Sequence, residues 1–296
     1  MAGLSVGRAA LISDLATLHL PAGRDVLVHC SLRRVGPVVG GPATVLTALR
    51  EVLGPDGTVV VPTQTADNST TSPSFRAATR GLDAAQIAEY EAALPGFDST
   101  RTPSQRMGAF AEHIRCQPGS VRSGHPQTSF TALGPRAGAL MAIHDLDCHL
   151  GERSPLAALY TANANVLLLG VGYEVCTALH LAEYRLPWPA PVRPYRCYVR
   201  AGERRERLDF MAADLVDYDF PELGADLDRQ SFVTSGRVGN ALATVMPVRA
   251  AVDFAVRWLT GHAPGERPVF GGMAPLPWEH AARLESGESR TWTTSS

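Results

Sequence analysis

The chain has 296 residues, enough to bury a substantial core as one large domain or two small ones. Hydrophobic residues make up 45% and charged residues 19%, the balance of a soluble globular protein, and a formal net charge of −2 argues against nucleic acid or an anionic membrane as partner. All 27 basic residues are arginine, which excludes lysine Schiff-base and P-loop chemistry. Cys30, Cys116, Cys148, Cys176 and Cys197 contain no CxxC pair, so neither a disulfide framework nor a zinc-cysteine site is expected. The N-terminus has no basic region followed by an apolar core, and no apolar run reaches about 18 residues, so the expected compartment is the cytoplasm.

The first third alternates helix and strand. A helix is predicted over Val6–Leu18, a strand over Asp25–Cys30, a helix from Gly40-Gly41-Pro42 to Leu53, and a strand over Gly57–Val61. Short apolar strands separated by helices imply a mainly parallel sheet covered on both faces. Residues 64–103 break the rhythm, being rich in Thr, Ser, Pro and Asp with one weak helix near Asp83–Leu94; a connection this long is usually functional. The alternation resumes with a helix over Ser104–Arg115, a strand near Ser129–Ala132 and a helix over Pro135–His144. Next, Val166–Leu169 runs into Gly170-Val171-Gly172, and a helix carrying Cys176, Thr177, His180 and Glu183 follows. Tyr195–Val199 and Arg207–Phe210 alternate around Ala201-Gly202 as a β-hairpin. After it come an acidic segment over 214–228, the Gly-rich piece 236–241 and a helix over Ala250–Leu259. A single domain is expected over 1–270, with 271–296 a flexible polar tail.

The densest chemistry lies after the Val166–Leu169 strand. His180 and Glu183, at i and i+3, share a helix face, and a His beside a carboxylate at a strand C-terminus is a candidate general base with its orienting partner. Placed in the first turns of a helix, His180 would be kept neutral by the macrodipole. Cys176, four residues before His180, leaves a Cys-His nucleophile geometrically open. His29 to Gly36 at the end of a strand, with Arg33 and Arg34, makes a possible phosphate cradle, and Thr102 or Ser104 caps the next helix. His125 before Pro126 reads more readily as structural than catalytic. The six acids Asp214, Asp217, Asp219, Glu222, Asp226 and Asp228 would attract a polycation, though a solvated charged face is the default reading. Gly170-Val171-Gly172 is not a dinucleotide turn, since Val175 stands where the third glycine is needed.

Taken in order, HCSLRRVG with GGPATVLTAL, GTVVVPTQT, FDSTRTPSQRMGAFAEHIR, RSGHPQTSFTALG, SPLAALY, VLLLGVGYEVCTALHLAE, DFPELG and VGNA resemble the aminoglycoside N(3)-acetyltransferases, the antibiotic N-acetyltransferase family, across roughly residues 8–260. The resemblance implies a three-layer α/β/α fold distinct from the widespread GNAT acetyltransferases, with a small C-terminal β-hairpin and helical portion. It also implies acetyl-CoA as co-substrate, no metal, and the 3-amino group of a 2-deoxystreptamine aminoglycoside as acceptor. On the family pattern His180 is the base, Glu183 its partner or a substrate ligand, and Thr177 a stabiliser of the oxyanion. Ser31, Leu32, Arg33, Arg34, Thr102, Pro103, Ser104, Met107, Ser129 and Phe130 fall on its CoA-contacting segments. Asp67, Asp219 and Glu222 would face the aminoglycoside. Cys30 and Cys176 depart from the small polar residues frequent in relatives. The expected partners are small molecules only, bound by a monomer or homodimer.

Two rival functions remain open at the level of sequence. One is an N-acetyltransferase of the same fold that acts on a biosynthetic amine. The other is a binding or sequestering protein without turnover, against which the intact His180–Glu183 pair argues.

Overall fold

The computed structural model describes residues 5–215, 217 and 219–262; the tail expected over 271–296 lies outside them. In chain order the elements are α1 (Arg8–Ala16), β1 (Val26–Cys30), α2 (Leu32–Val35), α3 (Pro42–Leu53), β2 (Val59–Pro62), α4 (Pro73–Ala78), α5 (Ala84–Ala92), α6 (Gly108–Arg115), β3 (Val121–Arg122), β4 (Phe130–Leu133), α7 (Ala137–Met141), α8 (Pro155–Thr161) and β5 (Asn165–Leu169). Two 3-10 turns, Tyr173–Val175 and Thr177–Leu179, lead into α9 (His180–Glu183). The chain continues through β6 (Val192–Ala201), β7 (Arg204–Ala213), α10 (Phe220–Leu227), β8 (Thr234–Val238), β9 (Ala241–Pro247) and α11 (Val248–Gly261).

Among the described residues seven strands form one sheet in the order β3-β4-β2-β1-β5-β9-β8. The two pairings at its centre, β1 with β2 and β1 with β5, are parallel, and the four outer pairings are antiparallel. Because β4 and β9 alone run against the rest, the sheet is mainly parallel in strand direction but not in pairing. β1, β2 and β5 are mostly apolar and buried because both faces are covered, with His29 and Asn165 the polar exceptions. Alternate residues feed two separate cores. Leu27, Val60, Val166, Leu168 and Met246 meet side chains of α7 to α11. Val26, Val28, Val61, Leu167 and Leu169 meet α1, α3 and α6. β6 and β7 form a two-stranded sheet, as the expected hairpin, with Tyr195 opposite Phe210, and β6 is bridged to the 64–103 segment at Ser69–Cys197 and Phe97–Val199.

Three local expectations are corrected. The helix expected from Ser104 starts at Gly108, since Arg106 and Gly108 take φ of 58° and 85° and the Ser104 N–H and hydroxyl both donate to Glu112 Oε2. The helix expected to carry Cys176 to Glu183 is two 3-10 turns and one α-turn, so a long macrodipole does not act on His180. The Gly-rich piece at 236–241 lies at the turn of the β8–β9 hairpin, neither of whose strands the sequence pattern predicts.

Candidate active site

β5 ends at Leu169, and Gly170, with a φ of 67°, turns the chain across the strand ends; a Cβ there would lie 2.9 Å from Arg34 Cβ. The turn brings the 173–183 segment over the C-termini of β1 and β2, where open α/β sheets bind ligands. A cleft of about 440 Å³ opens there. Its walls are His29, Cys30 and Ser31 from the end of β1, Gln64 after β2, Arg106, Met107 and Gly108 before α6, and Thr177 and His180 above. Glu174 and Asp217 supply its carboxylates.

His180 Nδ1 lies 2.5 Å from Glu183 Oε2. Glu183 is only 4% exposed, so a buried carboxylate holds the Nδ1 proton and leaves Nε2 as the acceptor. Phe220 of α10 packs on the imidazole at 4.8 Å between ring centroids, fixing its plane. Thr177 is buried at the same wall. The arrangement can take a proton from a group bound in the cleft and stabilise the resulting imidazolium.

The cleft holds a second imidazole, from a residue that the sequence offered only as the start of a phosphate cradle. His29 lines the cleft, and its buried Nε2 has no hydrogen-bond partner; burial, and then the charge of His180, push it down to about 4. The thiols of Cys30 and Cys176 are pushed up by burial to about 12, which removes the Cys-His nucleophile.

Of the residues expected to meet CoA, Ser31 and Met107 line the cleft. Leu32, Arg33 and Arg34 form the single turn of α2 directly behind Ser31, with both arginines exposed. Thr102, Pro103 and Ser104 lie in the turn before α6 rather than in the cleft wall; the Thr102 hydroxyl accepts the Asp98 N–H at 2.8 Å. Ser129 and Phe130, also expected there, are fully buried and do not line the cleft. The Ser129 hydroxyl donates to Thr63 O and accepts from Arg122 Nε, each at 3.0 Å.

The acidic residues divide similarly. Asp67 is exposed on a separate pocket of about 380 Å³ with Ser72, Phe75 and Tyr90. Asp219 and Glu222 start α10 and do not line the cleft, whereas Asp217, from the same acidic segment, does. Asp214 pairs with Arg193, Asp226 accepts from Trp258 Nε1, and Asp228 accepts from the Tyr173 hydroxyl, so half of the acidic run is structural. His125 is structural too: Nδ1 accepts the N–H groups of Gln127 and Thr128, and Nε2 donates to Leu146 O. Among the described residues no group of three or more His, Cys, Asp or Glu could hold a metal ion, and no helix is long and apolar enough to cross a membrane.

Residues 27–260 match the family model described as aminoglycoside 3-N-acetyltransferase. The chain belongs to this family of acyltransferases. It is 33% identical over 252 residues to the aminoglycoside N(3')-acetyltransferase-like protein YokD of Bacillus subtilis, covering 85% of this chain and 91% of that protein. Aminoglycoside N(3)-acetyltransferase VIII of Streptomyces fradiae is 34% identical over 285 residues, covering 89% and 95%. The crystal structure of YokD superimposes with a TM-score of 0.81 at 30% identity over 88% of this chain and 95% of that one. AAC-IIIb in a binary complex with CoASH gives 0.75 at 28% identity over 90% and 100%. AAC-VIa bound to sisomicin gives 0.76 at 29% identity over 88% and 100%.

Proposed function

We propose that the protein transfers acetyl from acetyl-CoA to the 3-amino group of a 2-deoxystreptamine aminoglycoside, with His180 as general base and Glu183 as its partner. The observation that carries this is the 2.5 Å His180–Glu183 pair at the wall of a cleft at the strand ends. The CoASH and sisomicin complexes of structural neighbours support the choice of donor and acceptor. In this scheme the protein is one three-layer α/β/α domain working in the cytoplasm without a metal, and the two cores on opposite sheet faces support that architecture. Ser31, Met107 and the α2 arginines would hold CoA, and Glu174 and Asp217 would face the cationic acceptor.

An aminoglycoside amine is largely protonated at neutral pH and cannot attack a thioester. His180 Nε2 takes the proton that the amine must lose as the C–N bond forms, and Glu183 stabilises the imidazolium. Thr177 is placed to meet the thioester oxygen. Acetylation then removes one positive charge from the drug and weakens its attraction to RNA phosphates.

The test is free-thiol release from acetyl-CoA with a panel of 2-deoxystreptamine aminoglycosides and mass spectrometry of the products. Drug-dependent release with acetylation at the 3-amine is expected, and His180→Ala should lower kcat by about 10²–10⁴-fold while acetyl-CoA still binds. Normal turnover by His180→Ala removes the base assignment. Silence across the panel with acetyl-CoA binding intact transfers the activity to a biosynthetic amine.

A further inference from the structure

The base chemistry of His180 leaves the second imidazole of the cleft without a task. His29 is the fourth residue of β1 and pairs in register with Leu168 of β5. Strand alternation turns it to the sheet face of Leu27 and Leu168, the face that α9 covers. It is 6% exposed, lines the cleft with Thr177 and His180, and keeps Nε2 buried without a partner. Buried polar nitrogens are almost always paired, because an unpaired one costs stability. A purely structural role gives no reason for an imidazole here, since leucine would fill the space without that cost. Held down to about 4, the ring is uncharged at neutral pH. It therefore repels neither an ammonium substrate nor an imidazolium forming at His180.

We propose that His29 is a hydrogen-bond donor to the thioester oxygen in the transition state, which rests on the acetyl transfer proposed above. The acceptor ammonium first gives one proton to solvent. The amine lone pair then forms the C–N bond at the carbonyl carbon, and the second proton passes to His180 Nε2. The carbonyl π pair moves onto oxygen, where the neutral His29 N–H and the Thr177 hydroxyl meet the developing charge without releasing their protons. As that pair returns, the C–S bond breaks and the leaving sulfur takes the proton from His180. Amide, free thiol and neutral His180 remain.

The experiment compares His29→Leu, which removes the donor and the unpaired nitrogen together, with His29→Gln, which restores an N–H. In amine-dependent thiol release, kcat of the leucine variant should fall by about 10²–10³-fold, the loss typical of a removed oxyanion donor. Its KM for either substrate should stay within about threefold, because the bond is made only in the transition state. Its melting temperature should equal or exceed that of the wild type. The glutamine variant should recover at least about tenfold of the lost kcat. The acidic limb of the pH–rate profile should keep its position in both variants, since a neutral donor does not titrate there. Undiminished kcat in His29→Leu, a loss in both variants that tracks a fall in melting temperature, or disappearance of the acidic limb each overturns the donor role. A wild type that turns over beside an equally active His29→Leu sinks this role alone. A wild type silent with every amine takes the acetyl-transfer assignment down with it.

Discussion

Glu183 is buried with its carboxylate against the His180 ring, a placement that is costly unless the charge is compensated. In the proposed transfer, compensation grows when the ring gains its proton beside the carboxylate. Glu183→Gln keeps the size and an oxygen acceptor but removes the charge, so the resting structure should survive while the imidazolium loses support. A fall in kcat of about 10²-fold is expected with acetyl-CoA affinity unchanged, read by steady-state kinetics beside isothermal titration; full activity would show that the carboxylate only orients the ring. This pair was legible in the sequence because i and i+3 lie together on any helical turn, even the single one formed here. His29 was not, because an unpaired nitrogen is defined by what lies across the sheet and above the strand end. Ser129 and Phe130 show the same dependence on the fold: family position put them near CoA, whereas the structure buries both, Ser129 just before β4 and Phe130 as its first residue.

At the scale of elements, the long excursion after β2 is closed at its neck by one side chain. Arg122 of β3 donates to Thr63 O, where the excursion leaves the sheet, and to Thr102 O, where it returns. The Phe97 ring lies 4.9 Å beneath the guanidinium, and Gln105 N–H donates to Gln64 O beside it. Gln64 and Arg106 to Gly108 thus reach the cleft from a clasped base. Burial lowers Arg122 to about 10, so it stays charged at neutral pH. Arg122→Met should destabilise by about 2–3 kcal/mol, because two carbonyls lose a charged donor. It should also speed limited trypsin cleavage after Arg80 or Arg101, and Arg122→Lys should rescue little, lacking the planar fork. Unchanged cleavage in both variants would show that the clasp is dispensable. None of this clasp was visible in the sequence, since its contacts join residues far apart in the chain. The regular elements were visible: β1, β2 and β5 as apolar runs, α3 opened by Pro42, and α5 capped by Asp83 with Gln86. β8 and β9 escaped because β8 is mostly polar and glycine-containing and Thr244 interrupts the apolar run of β9.

On the scale of the whole molecule, the β6–β7 hairpin is a sheet of its own, and a buried histidine cluster joins it to the main sheet. His149 packs against Tyr195 at 4.4 Å and Phe210 at 5.7 Å between ring centroids, and His125 lies 4.6 Å from His149 and 4.8 Å from His144. His144 accepts from the Ser123 hydroxyl and donates to His149 O, while His149 Nε2 has no partner. Burial is the main cause that holds His144 down to about 4 and His149 to about 3, and His125 well below its ordinary value of 6.5. Arg193 of β6 lowers His149 further, whereas Asp145 pulls His144 back up. Above pH 6.5 the folded and unfolded chains carry these rings neutral alike. Between 6.5 and about 4 the unfolded chain takes up protons that the folded chain refuses, so stability falls with pH by about 1.4 kcal/mol per unit for each histidine. With His29, four rings share this behaviour. His149→Phe keeps an aromatic ring against Tyr195 and Phe210 and removes one of the four. Its melting temperature at pH 7 should therefore hold, while the slope of melting temperature against pH between 6.5 and 4 should shrink by roughly a quarter. Scanning calorimetry across that window decides it, and a slope equal to that of the wild type would mean that His149 is protonated in the folded protein.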